Sequence, residues 1–346
     1  MTMTTAFFTD TRFTQHTLTG HPEHAGRLIA IQNLLEESGI VQHFARVEPR
    51  EATLEEIQRV HAEKYLDVLA WIAAQERMVG LDPDTYVLPV SYELARIAAG
   101  GLLNVVDAVL EKQADNGLAA IRPPGHHATP TRGMGFCLLN NIAIAARYAQ
   151  AKYGLKKVAI VDFDVHHGNG TQDAFYDDAS VYFISSHQAP PLYPGTGTVN
   201  EIGQGTGQGF NMNIPLPGGA GDTAFETLYT RLVLPALARF QPEMILVSAG
   251  FDAHWRDPLA SLQVSLPMFA NITCWLIQTA QTLCEGRIVF VTEGGYDLEV
   301  LSNGVLNVGY ALLGQDTVQD PIGKTDRNNP LDNRLLEQLL KLHELG

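Results

Sequence analysis

Cysteine is scarce in this sequence of 346 residues, which holds three cysteines and no Cys-x-x-Cys pair. Thiols as scattered as Cys137, Cys274 and Cys284 cannot build a disulfide framework, so a reducing compartment fits best. The first residues lack a basic stretch followed by an apolar one, and no later run approaches the length of a membrane span. We therefore expect a cytoplasmic location and no membrane partner.

Positive charge is also in short supply, because 23 Lys and Arg against 38 Asp and Glu give a net charge of −15. A nucleic-acid surface needs a basic face to neutralise phosphates, so we expect no nucleic-acid partner. A cationic substrate is compatible with this charge, although solubility is its simplest role. Repeats of fixed period, low-complexity linkers and charge blocks are missing too, which predicts a single domain over residues 1–346.

The sequence does contain an alternation of helix and strand patterns. Apolar residues recur at helical spacing over 27–37, 54–75, 92–113, 141–152, 223–239 and 266–284. Short runs rich in Val and Ile predict buried strands at 118–121, 158–161, 181–185, 244–248 and 287–292, with 211–214 as a further candidate. Such alternation predicts right-handed crossovers and helices on both faces of the sheet. The expected fold is a three-layer α/β/α domain with a mostly parallel central sheet.

Polar clusters directly follow these apolar runs. They lie at 122–127, 162–167, 185–187, 250–252 and 293–296. Ligands of open α/β sheets bind at the carboxyl ends of the strands. We therefore expect these separate clusters to converge on one pocket.

One of these clusters has the pattern of a metal site. Asp162, Asp164 and His166 alternate along an extended segment and therefore share one face. Three ionisable groups there are costly without a cation or partners, and Asp252 adds a carboxylate after another buried strand. We predict that Asp164, His166 and Asp252 hold one divalent metal with an open coordination position. Zinc is preferred, but this oxygen-rich set also suits iron, cobalt or manganese.

Candidate catalytic groups follow two other strands. The segment RPPGHH delivers the adjacent imidazoles of His126 and His127, and Asp162 is free to hold one of them by a hydrogen bond and raise its basicity. The glycines of EGGY permit a sharp turn that aims the phenol of Tyr296 inward, where it can donate to a developing oxyanion.

Taken together, these residues resemble the zinc-dependent histone deacetylase family. The matching branch contains class II-like bacterial histone deacetylase-like amidohydrolases and acetylpolyamine amidohydrolases. Between about Asp10 and Leu298, the family's motifs occur in order: RPPGHH, GFCLLNN, DFDVHHGNGTQ, YPGTG, SAGFDAHWRDPLA and EGGY. The resemblance implies an arginase/deacetylase-like fold and hydrolysis of acetyl or other acyl groups from lysine side chains or small amides.

The resemblance also implies roles for individual residues. It makes Asp164, His166 and Asp252 the zinc ligands. Among the catalytic groups, His127 would be general base and acid, His126 would pair with Asp162, and Tyr296 would polarise the scissile carbonyl. Asn169 stands where class I enzymes carry an aspartate, which implies a different basicity for the histidine it partners.

Further implied positions surround the substrate. An acyl-lysine channel would be formed by Gly135, Phe136 and Tyr193, with Leu259 at its rim and Asp84 as a clamp on substrate backbone amides. Arg27 would line an acetate exit. A structural potassium ion is implied near Asp162, Asp164, His166 and Ser185.

Several alternatives remain open at this point. An acetylpolyamine amidohydrolase is disfavoured by Leu259, because polyamine-selective relatives can carry an acidic residue at that rim position. An arginase-like ureohydrolase would need two metals, and only one complete ligand set is evident. A catalytically silent acyl-group binding protein is the alternative outside the enzymes. Homo-oligomerisation is compatible with the sequence.

Overall fold

Eight parallel strands form the central sheet of the computed structural model, which describes residues 3–345. A two-stranded antiparallel hairpin, β3–β4, stands apart from it. The strands are β1 (Thr5–Phe8), β2 (Phe44–Arg46), β3 (Val79–Gly80), β4 (Tyr86–Val87), β5 (Asn116–Ala119), β6 (Val158–Asp162), β7 (Val181–Gln188), β8 (Asn211–Leu216), β9 (Met244–Ala249) and β10 (Ile288–Thr292). Across the sheet they follow the order β2-β1-β5-β10-β9-β6-β7-β8.

Helices cover the sheet in two groups. In chain order they are α1 (Gly26–Glu37), α2 (Leu54–Gln58), α3 (Glu63–Ala73), α4 (Ser91–Leu110), α5 (Asn141–Tyr153), α6 (Asn169–Phe175), α7 (Asp222–Leu228), α8 (Leu234–Phe240), α9 (Leu266–Cys284), α10 (Leu298–Leu312) and α11 (Asn333–Leu342). Helices α1, α10, α9 and α8 pack successively on one another, and α4 packs on α5. The expected three-layer architecture with a parallel sheet is confirmed. Within residues 3–345, no helix combines the length and apolarity needed to cross a membrane.

The register of the central strands sets the position of the polar clusters. Asp162, the last residue of β6, lies opposite Ser185 of β7 and Ser248 of β9. The first four residues of each of these strands belong to the buried hydrophobic core, which favours the parallel arrangement covered on both faces. The segments that follow β6, β9 and β10 therefore emerge side by side at one edge.

Three segment predictions need correction. The expected helix over 54–75 is two helices, because the chain breaks at buried His61, whose ring nitrogens lie 3.0 Å from Thr129 O and 2.8 Å from Asn140 N. The strand expected at 118–121 ends at Ala119, and Ile121 N instead donates to Thr292 Oγ1 at 3.0 Å. The single helix expected over 223–239 is instead α7 and α8, joined without a gap by a π-helical turn at Tyr229–Val233.

Candidate active site

The polar clusters meet at the carboxyl edge of the sheet, as the sequence predicts. Three ligand-type side chains form its centre, and one nitrogen or oxygen of each lies within 4.8 Å of the others: Asp164, His166 and Asp252. His166 Nδ1 is 3.0 Å from Asp164 Oδ1 and 3.2 Å from Asp252 Oδ2. Among residues 3–345 this is the one such group.

The backbone holds both carboxylates in place. Val165 N donates to Asp252 Oδ1 at 2.8 Å, and Gly294 N donates to Asp164 Oδ2 at 2.7 Å. Both aspartates have no exposed surface, and two like charges buried so close together are costly unless a cation compensates them. Burial alone would lower the pKa of His166, but the hydrogen bonds and charges of Asp164 and Asp252 raise it to about 10. This donor set therefore fits a divalent metal ion.

The two adjacent histidines have different partners. His126 Nδ1 lies 3.0 Å from Asp162 Oδ2, whereas His127 Nδ1 lies 2.8 Å from Asn169 Oδ1. Their ring centroids are 4.0 Å apart. One imidazole is thus backed by a carboxylate and the other by a neutral amide.

Burial and the surrounding charges shift the pKa values of the two rings in opposite directions. Burial lowers the pKa of His126, but the negative charges of Asp164 and Asp162 outweigh burial and raise it well above the usual value. The pKa of His127 falls well below the usual value because of burial and the neighbouring His126 and His166. Protonation is therefore favoured on His126 and disfavoured on His127.

A buried glutamate fixes the loop that carries the histidines. Glu293 Oε2 accepts from Gly125 N at 2.7 Å and from His126 N at 3.2 Å, while Oε1 accepts from Ser248 Oγ at 3.0 Å. In the sequence, Glu293 is recognisable only as the first letter of EGGY. In the structure, its hydrogen bonds join the end of β10 to the loop after β5.

Tyr296 lies on the turn that follows β10. The centre of its ring is 5.9 Å from that of Phe136, and the guanidinium carbon of Arg27 lies 5.0 Å from the ring centroid. Burial raises the pKa of Tyr296 well above the usual value, so its hydroxyl keeps its proton. A protonated phenol next to a metal-binding set is a hydrogen-bond donor for an oxyanion.

A cavity of about 310 Å³ leads from the surface to these groups. Its wall contains all of the predicted channel residues together with His127, His166 and Tyr296 of the centre. The predicted channel residues are Asp84, Gly135, Phe136, Tyr193 and Leu259. Gly135 has a φ of +55°, and a Cβ there would collide with the ring of His127, so glycine is required at this point.

Other predicted residues lie away from the cavity wall. Arg27 is buried behind Tyr296, where its guanidinium donates to the carbonyls of Glu293 and Gly295 and to the carboxylate of Glu23. Ser185 is buried opposite Asp162, and its hydroxyl lies 2.9 Å from His187 Nδ1. The acetate exit and the potassium site remain predictions.

Some residues at the site escaped the sequence interpretation. His21, Pro22 and Leu192 also line the cavity. His21 Nε2 lies 3.0 Å from the backbone oxygen of Asp84, and its ring centroid lies 4.7 Å from that of Phe136. The segment HPEHAGR was recognised only for its arginine, because nothing local shows that its first histidine reaches the channel mouth.

A charged pair behind the site was missed as well. Glu23 is fully buried and accepts from Arg122 Nη2 at 2.7 Å. Burial raises the pKa of Glu23, but Arg122 outweighs it with its charge and hydrogen bonds and lowers the pKa to about 2. The first residue of RPPGHH is therefore a buried structural cation beneath the histidines.

Known proteins resemble the chain over most of its length. A family model described as histone deacetylase domain matches residues 21–312. Histone deacetylase 14, chloroplastic, of Arabidopsis thaliana is 42% identical over 319 residues, which cover 88% of this chain and 75% of the relative. The histone deacetylase-like amidohydrolase of Pseudomonas aeruginosa is 40% identical over 305 residues, or 88% of this chain and 80% of the relative.

A solved structure shows the same resemblance. The crystal structure of the HDA15 HD domain matches with a TM-score of 0.89 and 35% identity, and the match covers 99% of this chain and 94% of that one. Its arginase/deacetylase fold is the architecture described above. The chain therefore belongs to the histone deacetylase family of hydrolases.

Proposed function

We propose that the chain is a metal-dependent amidohydrolase that removes acetyl or other acyl groups from lysine side chains or from small amides. The observation that supports this most directly is that one cavity is lined by the neutral base His127, the phenol Tyr296 and the metal-ligand residue His166. This arrangement supplies a proton acceptor, an oxyanion donor and a cation position to the same bound group.

Asp164, His166 and Asp252 would hold the metal, with zinc as the preferred ion and iron, cobalt or manganese as suitable substitutes. When bound, the metal supplies Lewis-acid polarisation of the acyl carbonyl and lowers the pKa of water. A structural potassium ion near Asp162, Asp164, His166 and Ser185 belongs to the same proposal. Carbonyl oxygens would provide most of its contacts.

His127 is proposed as the group that moves protons. Its Nδ1 is occupied by Asn169, which leaves Nε2 as the nitrogen available to the cavity. Nε2 takes a proton from the attacking water as the new carbon–oxygen bond forms, and it returns the proton to the amine as the carbon–nitrogen bond breaks. The products are a carboxylic acid and a free amine. His126, which is paired with Asp162 and whose cationic form is favoured by Asp164 and Asp162, stabilises negative charge beside it.

Tyr296 is proposed to stabilise the tetrahedral oxyanion by donating its phenolic hydrogen. Arg27 supports the ring from behind and fixes the carbonyls of the turn. These contacts orient the donor before the reaction begins, which is the basis of oxyanion stabilisation.

The walls of the channel favour an acylated lysine chain as substrate. Phe136, Tyr193 and Leu259 offer apolar surface to a straight aliphatic chain, and Asp84 lies at the cavity wall where substrate backbone amides can reach it. Leu259 offers no charge to a polyamine ammonium group, so an acetylpolyamine is the less favoured substrate. The proposed substrates are therefore acylated lysine peptides and, second, small amides.

A substrate panel tests this function. Metal-replete protein is incubated with acetyl-lysine and longer acyl-lysine peptides, acetylated polyamines and simple amides, and the released acid is quantified. We expect the highest kcat/KM for an acyl-lysine peptide and no release by the His127→Ala protein. Zinc-loaded protein that binds acyl peptides but releases no acid from any of them would instead indicate a silent acyl-group binder.

A further inference from the structure

The turn that carries Tyr296 is held by three side chains, those of Asp164, Arg27 and Asp257, which bond to successive residues of its backbone. Gly294 N donates to Asp164 Oδ2 at 2.7 Å, Gly295 O accepts from Arg27 Nε at 2.8 Å, and Tyr296 N donates to Asp257 Oδ2 at 2.8 Å. Gly295 has a φ of +121°, in a region that only glycine adopts freely, so the turn has little stiffness of its own. Its geometry therefore depends on these external contacts.

Asp257 is the one of these three anchors that also contacts the channel rim. Its side chain is buried, and its second oxygen, Oδ1, accepts from Leu259 N at 2.9 Å. Leu259 lines the cavity, whereas Asp257 itself does not. One carboxylate thus joins the backbone of the rim to the backbone of Tyr296.

Further contacts connect the rim loop, residues 255–259, to its surroundings. Arg256 pairs with Asp297 at 2.8 Å and with Glu299 at 2.9 Å, which lie one and three positions after Tyr296 in the chain. Trp255 Nε1 donates to Gly323 O at 3.0 Å and ties the other end of the loop to the C-terminal part of the chain. The rim loop and the tyrosine turn are therefore fastened to each other, with Asp257 as the buried contact between them.

We propose that Asp257 is a positioning residue for the reaction, which holds the phenol of Tyr296 at the distance from the acyl group that oxyanion stabilisation needs. This inference rests on the proposed amide hydrolysis. Asp257 acts through the peptide N–H of Tyr296 and not by contact with substrate. An Asn side chain has a single acceptor oxygen, so Asp257→Asn leaves either Tyr296 N or Leu259 N without its partner.

A double-mutant cycle with Tyr296 separates positioning from general stabilisation. Because small misplacements of catalytic groups cost large factors in rate, we expect Asp257→Asn to lower kcat by roughly 10- to 100-fold, with KM changed by less than about 3-fold. In a Tyr296→Phe protein the phenolic hydroxyl is already gone, so the same substitution should cost less than about 3-fold. Asp257→Glu, which keeps the carboxylate but displaces it by one methylene, should show the same dependence on the phenol.

Asp222 offers a matched control. It also accepts two hydrogen bonds, from Ser265 N at 2.8 Å and from the side-chain hydroxyl Ser265 Oγ at 2.7 Å, but it lines a different cavity. Asp222→Asn should leave kcat within about 2-fold of the wild-type value, since it touches neither Tyr296 nor the rim. Melting temperature and bound metal are recorded for every variant.

The outcomes are distinguishable. If Asp257→Asn lowers kcat in the wild-type background but not in the Tyr296→Phe background, the positioning role is supported. Equal losses in both backgrounds, or no loss in either, overturn it while the hydrolase function stands. A wild-type protein that hydrolyses no acyl substrate overturns the proposed function, and this inference with it.

Discussion

The bottom and the mouth of the channel are built on different physical principles. At the bottom, Asp162, Asp164 and Asp252 have no exposed surface, and each carboxylate lies within hydrogen-bond distance of a histidine. At the mouth, Asp84 is exposed and Leu259 is half-buried, and neither side chain makes a hydrogen bond or ion pair within the described part of the chain. Removing one partner of a buried charge has a large free-energy cost, whereas removing a partner of a surface charge has a small one. We therefore expect the bottom of the channel to determine whether hydrolysis occurs and the mouth to determine which substrate is hydrolysed.

The largest effect should come from removing one ligand charge at the bottom. Asp164→Asn is expected to lose bound metal and to lower turnover on the order of 10³-fold or more, because metal polarisation supplies several kcal/mol of transition-state stabilisation. Metal content by elemental mass spectrometry and steady-state kinetics measure both effects. Asp84→Asn makes the same chemical change at the mouth and should keep its metal. Equal losses in the two variants would remove the distinction between bottom and mouth.

Removal of the phenolic hydroxyl should have the next largest effect. Tyr296→Phe is expected to lower kcat by about 10²–10³-fold, the usual cost of an oxyanion donor, with metal content unchanged. Steady-state kinetics on an acetyl-lysine peptide measure it. A variant that turns over at the wild-type rate would show that Tyr296 contributes only packing.

The buried ion pair of Glu23 and Arg122, behind the bottom of the channel, should contribute to the free energy of unfolding. The pKa of Glu23 is lowered to about 2 in the folded protein, so its contribution is complete above the unfolded-state value near 4.5 and is lost as the pH falls towards 2. At about 1.4 kcal/mol per pKa unit, the contribution is on the order of 3 kcal/mol. Denaturant unfolding of wild type and Glu23→Gln between pH 6 and pH 2 measures it. The variant should be less stable at pH 6 and lose less stability on acidification. Parallel pH curves would contradict the assigned ion pair.

Substitutions at the channel mouth should have the smallest effects, and they should change the preference between substrates. Leu259→Glu is expected to raise kcat/KM for an acetylpolyamine relative to an acetyl-lysine peptide by about 5-fold, since an exposed charge pair contributes at most about 1 kcal/mol. Leu259→Gln is the uncharged control. The preference should weaken with added salt in the Glu variant only. A shift of equal size in both variants would assign it to shape instead of charge.

The sequence was informative about the centre of the sheet and less so about its edge. Strands β6, β7, β9 and β10 can be recognised in the sequence because each contains a run of buried apolar residues. Strand β1, Thr5–Phe8, and strand β2, Phe44–Arg46, are too short to stand out from loops. The break between α2 and α3 depends on His61 reaching Thr129 and Asn140, which lie far away in sequence.

The same contrast holds within the site. The expected metal ligands and histidines lie in segments that come after strands. The rule that ligands bind at the carboxyl ends of strands was therefore enough to predict that these residues meet. The supporting carboxylates were not recognisable, because their partners are distant backbone groups. Glu293 binds Gly125 across 168 positions, and Asp257 binds Tyr296 across 39. Such contacts arise only once the strands are placed in order.

The central claim is that hydrolysis depends on one metal held by Asp164, His166 and Asp252. The most direct test strips the full-length protein with a chelator, adds zinc in steps, and measures bound metal and acetyl-lysine peptide turnover on the same samples. Since the described residues contain one three-ligand group, turnover should rise in proportion to bound metal and level off at about one equivalent per chain. Full turnover in the stripped protein, or activity that requires two equivalents, would contradict the account.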